Sequence, residues 1–274
     1  MIKKKFVLLV VAILLTSLVF ADSHIRKGVD NPNLYQNGKL TVATGEPVYP
    51  PWMMDDNPEG AVGFENSLVY ALAHELGFLK EDVIWVRQTF DQGIAPGKKP
   101  YDFNIQQYSV TEDRKKFVGF SMVYYKPEKA VVALPTSEVS KAKTFADLRE
   151  VRWGATIGTA DLDYIEKIIG VEKVAVFNDQ VSTFQALLAN QIDATVISLP
   201  TALYVTAVQV PEATVAAILP HDPNDLGHGL VFEKDNPLIQ WVNTGLKKII
   251  DKGIVSRLTK RYLIANDAIP EISE

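Results

Sequence analysis

The sequence predicts an α/β protein made of two lobes, and three observations support this. Strand-like and helix-like segments alternate along the chain, an order typical of open sheets with helices on both faces. The alternation occurs as two successive series, and the second begins after Tyr125. Extended segments near residues 126–131 and 225–230 can join the two series, so we expect two hinge crossings.

The N-terminus has the features of a secretory signal peptide. Lys3, Lys4 and Lys5 precede an apolar run over residues 6–20, and Ala21 is a small residue suited to the cleavage point. The apolar run is short for a transmembrane helix, so we expect cleavage after Ala21 rather than a membrane anchor. The chain has no cysteine, which excludes disulfides, thiolate metal sites and a lipid-anchored cysteine.

The composition is that of an acidic, exported globular protein. The 274 residues are 47% hydrophobic and 22% charged, which is ordinary for one or two folded domains. The signal peptide carries three lysines, so its removal changes the net charge from −5 to −8. This acidity argues against a nucleic-acid partner, because binding to phosphates needs a basic surface.

These features predict the division of the chain into segments. The two lobes are expected to be interrupted in sequence, because the chain leaves the first lobe and later returns to it. The predicted segments are a signal peptide (1–21), an N-terminal arm (22–38), the first part of lobe 1 (39–127), lobe 2 (128–227), the return of lobe 1 (228–266) and a tail (267–274).

The first lobe begins with a β-branched strand at residues 39–43, followed by a proline-rich loop that ends at Trp52. Loops at the carboxyl ends of strands in such sheets are where ligands bind. Tyr49 and Trp52 can therefore contact a ligand, or they can pack beneath the loop, which is our main interpretation for Trp52. An amphipathic helix over residues 63–77 and a strand at residues 83–86 continue the alternation.

Residues 101–126 carry the candidate site of the first lobe. A strand at residues 101–105 and a polar turn lead to Thr111, which is suited to cap a short helix that carries Arg114. The start of a helix attracts anions, and a guanidinium can hold a carboxylate through two hydrogen bonds. The segment therefore predicts a site for a small anion, although an ordinary capped helix with a solvated arginine has the same pattern.

The second series contains another helix start that can receive an anion. A strand at residues 153–156 leads through Gly158 and Thr159 into a helix predicted over residues 161–169. An ordinary strand-to-helix connection would look the same. Farther on, Ser182 fits a capping box that opens another helix. Face-to-face lobes would place the two helix starts on opposite sides of a cleft, where ligands commonly bind.

The ordered motifs resemble the polar-amino-acid family of periplasmic solute-binding proteins, which supply ABC importers. The resemblance covers about residues 40–263. It implies a type II two-lobed fold whose lobes close on a ligand by a hinge motion. The matching fragments lie at residues 42–44, 51–52, 63–65, 109–114, 119–121, 124–125, 147–148, 158–159, 191–194 and 241–246.

The resemblance also implies roles for individual residues. Arg114 would clamp the ligand α-carboxylate, helped by the main chain and hydroxyl of Ser109 and by the N–H of Thr159. Tyr49 and Phe90 would form aromatic walls around the ligand side chain.

Two further positions follow from the same resemblance. Gln107 occupies the place of a small residue whose carbonyl meets the α-amino group. Thr156 lies where a side chain often reaches the ligand.

Two positions depart from the family pattern. The resemblance implies aspartates that hold the ligand ammonium, but this chain has Gly45 and Ser198 there. An unpaired buried ammonium costs several kcal/mol, against a total of roughly −8 kcal/mol for a micromolar binder. Glu46 can supply the missing carboxylate or can be an ordinary solvated loop residue. We therefore hypothesise that the carboxylate half of the site is retained and the ammonium half is altered.

Two other functions remain open. Periplasmic dehydratases acting on cyclic dienyl acids resemble this family, and Glu46 is the candidate acid for such chemistry. A ligand sensor docked on a membrane receptor is the other. The hydroxyl groups of the site have no evident histidine base, and the segment 221–228 indicates a polar turn rather than a metal site. We therefore expect a monomeric binding protein without cofactor or metal, whose partners are a small carboxylate and an ABC permease.

Overall fold

The computed structural model describes residues 27–263 and 269–272, so the predicted signal peptide lies outside the described residues. The described residues form two lobes, each around a five-stranded sheet, which confirms the predicted α/β class. None of the helices in this part of the chain is long and apolar enough to cross a bilayer.

The elements alternate along the chain as predicted. The strands are β1 (Leu40–Gly45), β2 (Val83–Gln88), β3 (Phe103–Asn104), β4 (Gly119–Tyr125), β5 (Lys129–Ala133), β6 (Trp153–Thr156), β7 (Val174–Phe177), β8 (Ala194–Ser198), β9 (Thr214–Leu219) and β10 (His228–Phe232). The helices are α1 (Phe64–Leu76), α2 (Phe90–Ile94), α3 (Glu112–Lys115), α4 (Phe145–Leu148), α5 (Ala160–Asp163), α6 (Gln180–Leu188), α7 (Leu199–Tyr204), α8 (Leu238–Asp251) and α9 (Ile254–Tyr262). Helices α5 and α7 continue into π-helical turns at Tyr164–Ile169 and Val205–Gln209.

The two sheets have equivalent strand orders, β2-β1-β3-β10-β4 in lobe 1 and β7-β6-β8-β5-β9 in lobe 2. The first three strands of each sheet run parallel, whereas the strands next to the crossings are antiparallel to their neighbours. The sheets are therefore mixed rather than wholly parallel. The chain crosses between the lobes from β4 to β5 and from β9 to β10, where the two hinges were predicted.

Each lobe has its own hydrophobic core. In lobe 1, helices α1 and α8 pack on the sheet, and Trp52 and Phe64 are fully buried. In lobe 2, two buried clusters include Trp153 and Phe184 respectively. Burial of apolar surface contributes roughly 25 cal/mol per Å², so each lobe has a source of stability that does not depend on the space between the lobes.

The C-terminal segment contacts lobe 2. The N–H of Ile218 donates to the carbonyl of Pro270 at 2.7 Å, and the N–H of Ile272 donates to Ile218 at 2.9 Å. Ile272 is buried in the core of lobe 2. The segment predicted as a tail (267–274) thus includes packed residues that cover the open edge of β9, an arrangement that protects edge strands from other chains.

Helix α6 begins earlier than the sequence predicted. It starts at Gln180, and the carboxylate of Asp179 caps it by accepting the N–H of Ser182 at 2.7 Å. The prediction that Ser182 opens this helix was wrong because aspartate two to three residues earlier is an equally good cap. The earlier start brings Asp179 to the space between the lobes.

Candidate functional site

A cleft of about 210 Å³ lies between the two lobes. Every residue predicted to contact a ligand lines it, except Trp52: the structure brings together Glu46, Tyr49, Phe90, Gln107, Ser109, Arg114, Thr156, Thr159 and Ser198. The sequence analysis did not single out other lining residues, among them Thr89, Gln106, Lys129, Asp161, Asp179, Thr201 and His228.

Arg114 lies at the inner end of this cleft and touches both lobes. The main-chain N–H of Arg114 donates to the hydroxyl of Thr111 at 3.2 Å, and this bond caps the short helix α3. Nη1 donates to the carbonyl of Ser109 at 2.8 Å, and Nη2 donates to the carbonyl of Gly158 in lobe 2 at 2.8 Å. The guanidinium carbon also lies 5.7 Å from the centre of the Phe90 ring, a cation–π distance.

The charge of Arg114 is not matched by an ion pair. Within residues 27–263 and 269–272, no carboxylate oxygen lies within 4.0 Å of its guanidinium. Burial lowers the pKa of Arg114, and the nearby Asp225 opposes this effect, so the side chain stays charged. A buried guanidinium bonded only to carbonyl groups can still accept an anion as its counter-charge.

A network of hydrogen bonds and ion pairs next to Arg114 connects residues of both hinge crossings. The Ser109 hydroxyl donates to Asp225 Oδ2 at 2.7 Å. Lys129 Nζ lies 2.8 Å from Asp161 Oδ1 and 3.3 Å from Asp225 Oδ2. Burial lowers the pKa of Lys129, but Asp161 and Asp225 outweigh it and the net pKa is raised. Lys129 is therefore a fixed cation at the inner end of the cleft.

A buried carboxyl group holds the polar turn of lobe 1. Gln107 has a left-handed backbone with φ 51°, which is unfavourable for a residue other than glycine. Its N–H donates to Glu65 Oε1 at 2.9 Å, its side-chain amide donates to Glu65 Oε2, and the Tyr124 hydroxyl donates to Glu65 Oε1. Glu65 is fully buried, and burial raises its pKa to about 7. In the sequence analysis Glu65 appears only within the family fragment at residues 63–65, and its contact with Gln107 was not predicted.

The outer end of the cleft is aromatic and acidic. Phe90 stacks against Tyr108 with ring centres 4.5 Å apart. Burial raises the pKa of Tyr49 to about 12, and a hydrogen bond with the main chain of Gln180 in lobe 2 partly opposes this rise. Glu46 is exposed on the loop after β1, and Asp179 lines the same cleft from lobe 2. These groups can surround a ligand side chain that extends away from Arg114.

The hydroxyl groups of lobe 2 are held in fixed positions. Thr159 Oγ1 donates to the carbonyl of Thr156 at 2.7 Å and accepts the N–H of Leu162 at 3.2 Å, so it caps α5. Thr156 Oγ1 lies 3.4 Å from Thr183 Oγ1. Lobe 2 thus contributes a capped helix start, and the helix predicted over residues 161–169 is one α-helical turn that continues as π-helical turns to Ile169.

Trp52 is the one predicted contact residue outside the cleft. Its side chain is fully buried and packs edge-on against the rings of Phe64 and Tyr125. Its indole N–H donates to Thr201 Oγ1 in lobe 2 at 2.8 Å, and that hydroxyl in turn lies 2.8 Å from Ser198 Oγ. Of the two alternatives considered for Trp52, the ligand contact was wrong: Trp52 packs beneath the loop, as our main interpretation had it, and it also links the lobes.

The family model for bacterial extracellular solute-binding proteins, family 3, matches residues 40–265. The match covers both lobes and every element that lines the cleft. The chain belongs to this family. The described part of this family 3 chain has no group of three His, Cys, Asp or Glu side chains placed to hold a metal ion.

Named relatives of this family 3 protein bind amino acids. ABC transporter arginine-binding protein 1 of Escherichia coli (strain K12) is 26% identical over 219 residues, or 78% of this chain and 86% of that protein. The L-cystine-binding protein TcyJ of the same strain is 24% identical over 260 residues, covering 94% of each chain.

Solved structures share the two-lobed fold. An ancestral arginine-binding protein bound to arginine has a TM-score of 0.68 and 26% identity, covering 83% of this chain and 99% of that one. The ancestral amino acid-binding protein AncCDT-1, a precursor of cyclohexadienyl dehydratase, has a TM-score of 0.68 and 26% identity, covering 83% and 96%.

Proposed function

We propose that this protein captures a small carboxylate, an amino acid or an amino-acid derivative, and delivers it to an ABC importer. The observation that carries the proposal is Arg114, a half-buried guanidinium in the interlobe cleft with no ion-pair partner among the described residues. Its planar set of donors matches the two oxygens of a carboxylate. The names of the arginine- and cystine-binding relatives support an amino-acid-like ligand and an ABC transporter as partner.

The proposed binding sequence begins on lobe 1. Arg114 and Ser109 take the carboxylate, while Tyr49 and Phe90 pack on the rest of the ligand. Closure then brings lobe 2 over it, as the contact of Arg114 Nη2 with the Gly158 carbonyl illustrates. In this arrangement Thr159 and Thr156 complete the site from the second lobe, and Gln107 presents its carbonyl from the first.

We propose binding without turnover. The hydroxyl groups of Ser109, Thr159 and Ser198 are each engaged in a hydrogen bond with a carboxylate, a carbonyl or another hydroxyl. None of these partners is a histidine base that would activate a nucleophile. Glu46, the acid considered for a dehydratase, lines the cleft from an exposed position on the loop after β1.

The proposed site of action is outside the cytoplasmic membrane. The family consists of extracellular solute-binding proteins, and the predicted signal peptide at residues 1–21 agrees with export. A fusion of these residues to a reporter that is active only after export tests this directly.

Calorimetry on the mature protein tests the proposed function. The ligands would be a panel of amino acids, 2-hydroxy acids, 2-oxo acids, dicarboxylates and amines without a carboxylate. We expect micromolar or tighter binding of at least one acid, no binding of the amines, and recovery of the ligand unchanged by mass spectrometry. Binding of no acid, or release of a converted product, would contradict the proposal.

A further inference from the structure

The inner end of the cleft contains a cation of the protein itself, close to the position where the ligand carboxylate would bind. Lys129 is the first residue of β5, a central strand of lobe 2, and it pairs in register with Ser198 of β8. Its side chain lines the cleft although only 8% of it is exposed. Asp161 and Asp225 hold its ammonium at 2.8 Å and 3.3 Å.

Arg114 and Lys129 are connected through two residues, Ser109 and Asp225. Arg114 Nη1 donates to the carbonyl of Ser109, whose hydroxyl donates to Asp225, and Asp225 holds Lys129. The two cations therefore lie at the same end of the cleft. A carboxylate on Arg114 would place the neighbouring carbon of the ligand, C2, near the Lys129 side of the site.

This arrangement leaves little for an α-ammonium to bind. An α-ammonium and an α-carboxylate share one carbon, so the ammonium must also lie close to Arg114. Three carboxylates act on Arg114, those of Asp225, Asp163 and Asp161. Asp161 and Asp225 already neutralise Lys129, and Asp163 pairs with Lys167 at 2.6 Å. Asp179 caps α6 in lobe 2. A ligand ammonium would thus compete with the ammonium of Lys129 for the same oxygens.

An oxygen atom on C2 would fit the same place better. A lysine ammonium has three N–H donors, and Asp161 and Asp225 occupy two of them. The third can donate to a hydroxyl or keto oxygen on C2. Ser198, which is in register with Lys129, adds a neutral hydroxyl and no negative charge. Its Oγ lies 2.8 Å from Thr201 Oγ1.

We propose that the ligand is a 2-hydroxy or 2-oxo acid, held by Arg114 through its carboxylate and by Lys129 through its C2 oxygen. This inference rests on the proposed function, since it assumes that Arg114 binds a carboxylate. Lys129 then acts as the residue that selects against the α-ammonium of ordinary amino acids.

Calorimetry with matched sets of ligands tests the inference. Each set would contain an L-amino acid and the 2-hydroxy and 2-oxo acids with the same side chain, for aliphatic, aromatic and cationic side chains. We expect the hydroxy or oxo acid to bind at least tenfold more tightly than the amino acid in every set that binds. Tighter binding of the amino acid would overturn the inference and leave the proposed function intact. Binding of no acid in any set would overturn the proposed function itself.

Two variants separate a selecting role of Lys129 from a structural one. In Lys129→Met, the free carboxylates favour an ammonium, so we expect the preference to invert towards the amino acid. In Asp161→Asn, Lys129 keeps Asp225 as a partner, so we expect the preference for the hydroxy or oxo acid to persist or increase. A structural role alone would weaken both ligand classes equally in Lys129→Met and leave the preference unchanged, and that result would overturn the inference. If Lys129→Met proved too unstable to measure, a preference of Asp161→Asn for the amino acid would overturn it instead.

Discussion

The two lobes share one strand order but contribute different chemistry to the cleft. Lobe 1 contributes the charged side chain of Arg114 and the polar turn at Gln107, both held by buried groups beneath them. Lobe 2 contributes the paired ammonium of Lys129, a carbonyl, hydroxyl groups and a capped helix start, at Gly158 and Thr159. The comparison indicates that lobe 1 supplies the unpaired charge that holds the ligand carboxylate, and that lobe 2 closes over the ligand and contacts the rest of it.

Two side-chain contacts between the lobes show a similar asymmetry. In lobe 1, Arg114 donates to the Gly158 carbonyl and Trp52 donates to the Thr201 hydroxyl. In both contacts lobe 1 supplies the donor and lobe 2 supplies the acceptor. Variants in lobe 1 should therefore affect ligand affinity more strongly than comparable variants in lobe 2.

The largest effect is expected for Arg114→Ala. Two charge-assisted hydrogen bonds to a carboxylate contribute roughly 1.5–3 kcal/mol each, so the dissociation constant should rise by about 100-fold or more. Calorimetry measures this change. Lys115→Ala is the matched control, because Lys115 lies on the same helix with an exposed side chain and should leave affinity unchanged. Equal affinity of Arg114→Ala and the wild type would show that the carboxylate binds elsewhere.

A smaller effect is expected for Glu65→Gln, which tests the support of lobe 1 rather than the contact itself. The amide would oppose the side-chain amide of Gln107, and an unsatisfied buried donor costs about 1–3 kcal/mol. We expect affinity to fall by about tenfold, because the left-handed turn at Gln107 loses its anchor, and the melting temperature to fall as well. The exposed Glu81→Gln is the control. Unchanged affinity despite a lower melting temperature would limit Glu65 to a structural role.

The sequence located the parts of the site that depend on local patterns. Arg114 and Ser109 lie within one short segment, and Thr159 directly follows a strand, so the fold class and a family resemblance sufficed to place them at a cleft. For Trp52 the sequence left two alternatives and favoured packing beneath the loop, because a large aromatic residue on a loop can face either the ligand or the core. Only the packing against Phe64 decided between these alternatives.

The charged network could not be predicted because it depends on residues far apart in the chain. Lys129 and Asp161 are 32 positions apart, and Ser109 and Asp225 are 116 apart. No local motif marks such pairs, and each residue alone looks like an ordinary surface charge. The hypothesis of an altered ammonium half came from Gly45 and Ser198, and the sequence offered Glu46 as a replacement carboxylate. The role that we propose for Lys129 came from the structure alone.

A still smaller effect is expected for Thr159→Ala in lobe 2. Loss of an N-cap hydroxyl costs about 1 kcal/mol, which corresponds to about a fivefold loss of affinity if α5 must be ordered to close on the ligand. Thr144→Ala is a matched control, because Thr144 caps α4 in the same lobe away from the cleft. Both variants should lose similar stability, whereas only Thr159→Ala should lose affinity. An effect as large as that of Arg114→Ala would remove the proposed asymmetry between the lobes.

The smallest expected effect is a change in how the stability of the protein depends on pH, and it involves two buried groups of lobe 1, His228 and Glu65. Burial lowers the pKa of His228 to about 3, although Asp225 opposes it, and burial raises the pKa of Glu65 to about 7. Stability from His228 is present above its usual pKa near 6.5 and is lost as the pH falls towards 3. The contribution of Glu65 is present below about pH 4.5 and is lost as the pH rises to about 7. The two trends oppose each other, so the wild type should change only modestly between pH 5 and 7.

Replacing one of these groups should expose the trend of the other. In His228→Gln the free energy of unfolding should fall more steeply, or rise less, between pH 5 and 7 than in the wild type, because the opposing histidine term is gone. Urea denaturation at the two pH values measures this difference, and the exposed His221→Gln should behave like the wild type. Arg114 and Lys129 also face His228 and disfavour its protonation. An identical pH profile in His228→Gln would mean that the imidazole takes up its proton as readily in the folded chain as in the unfolded one, and that its burial among the rings of lobe 1 does not control stability.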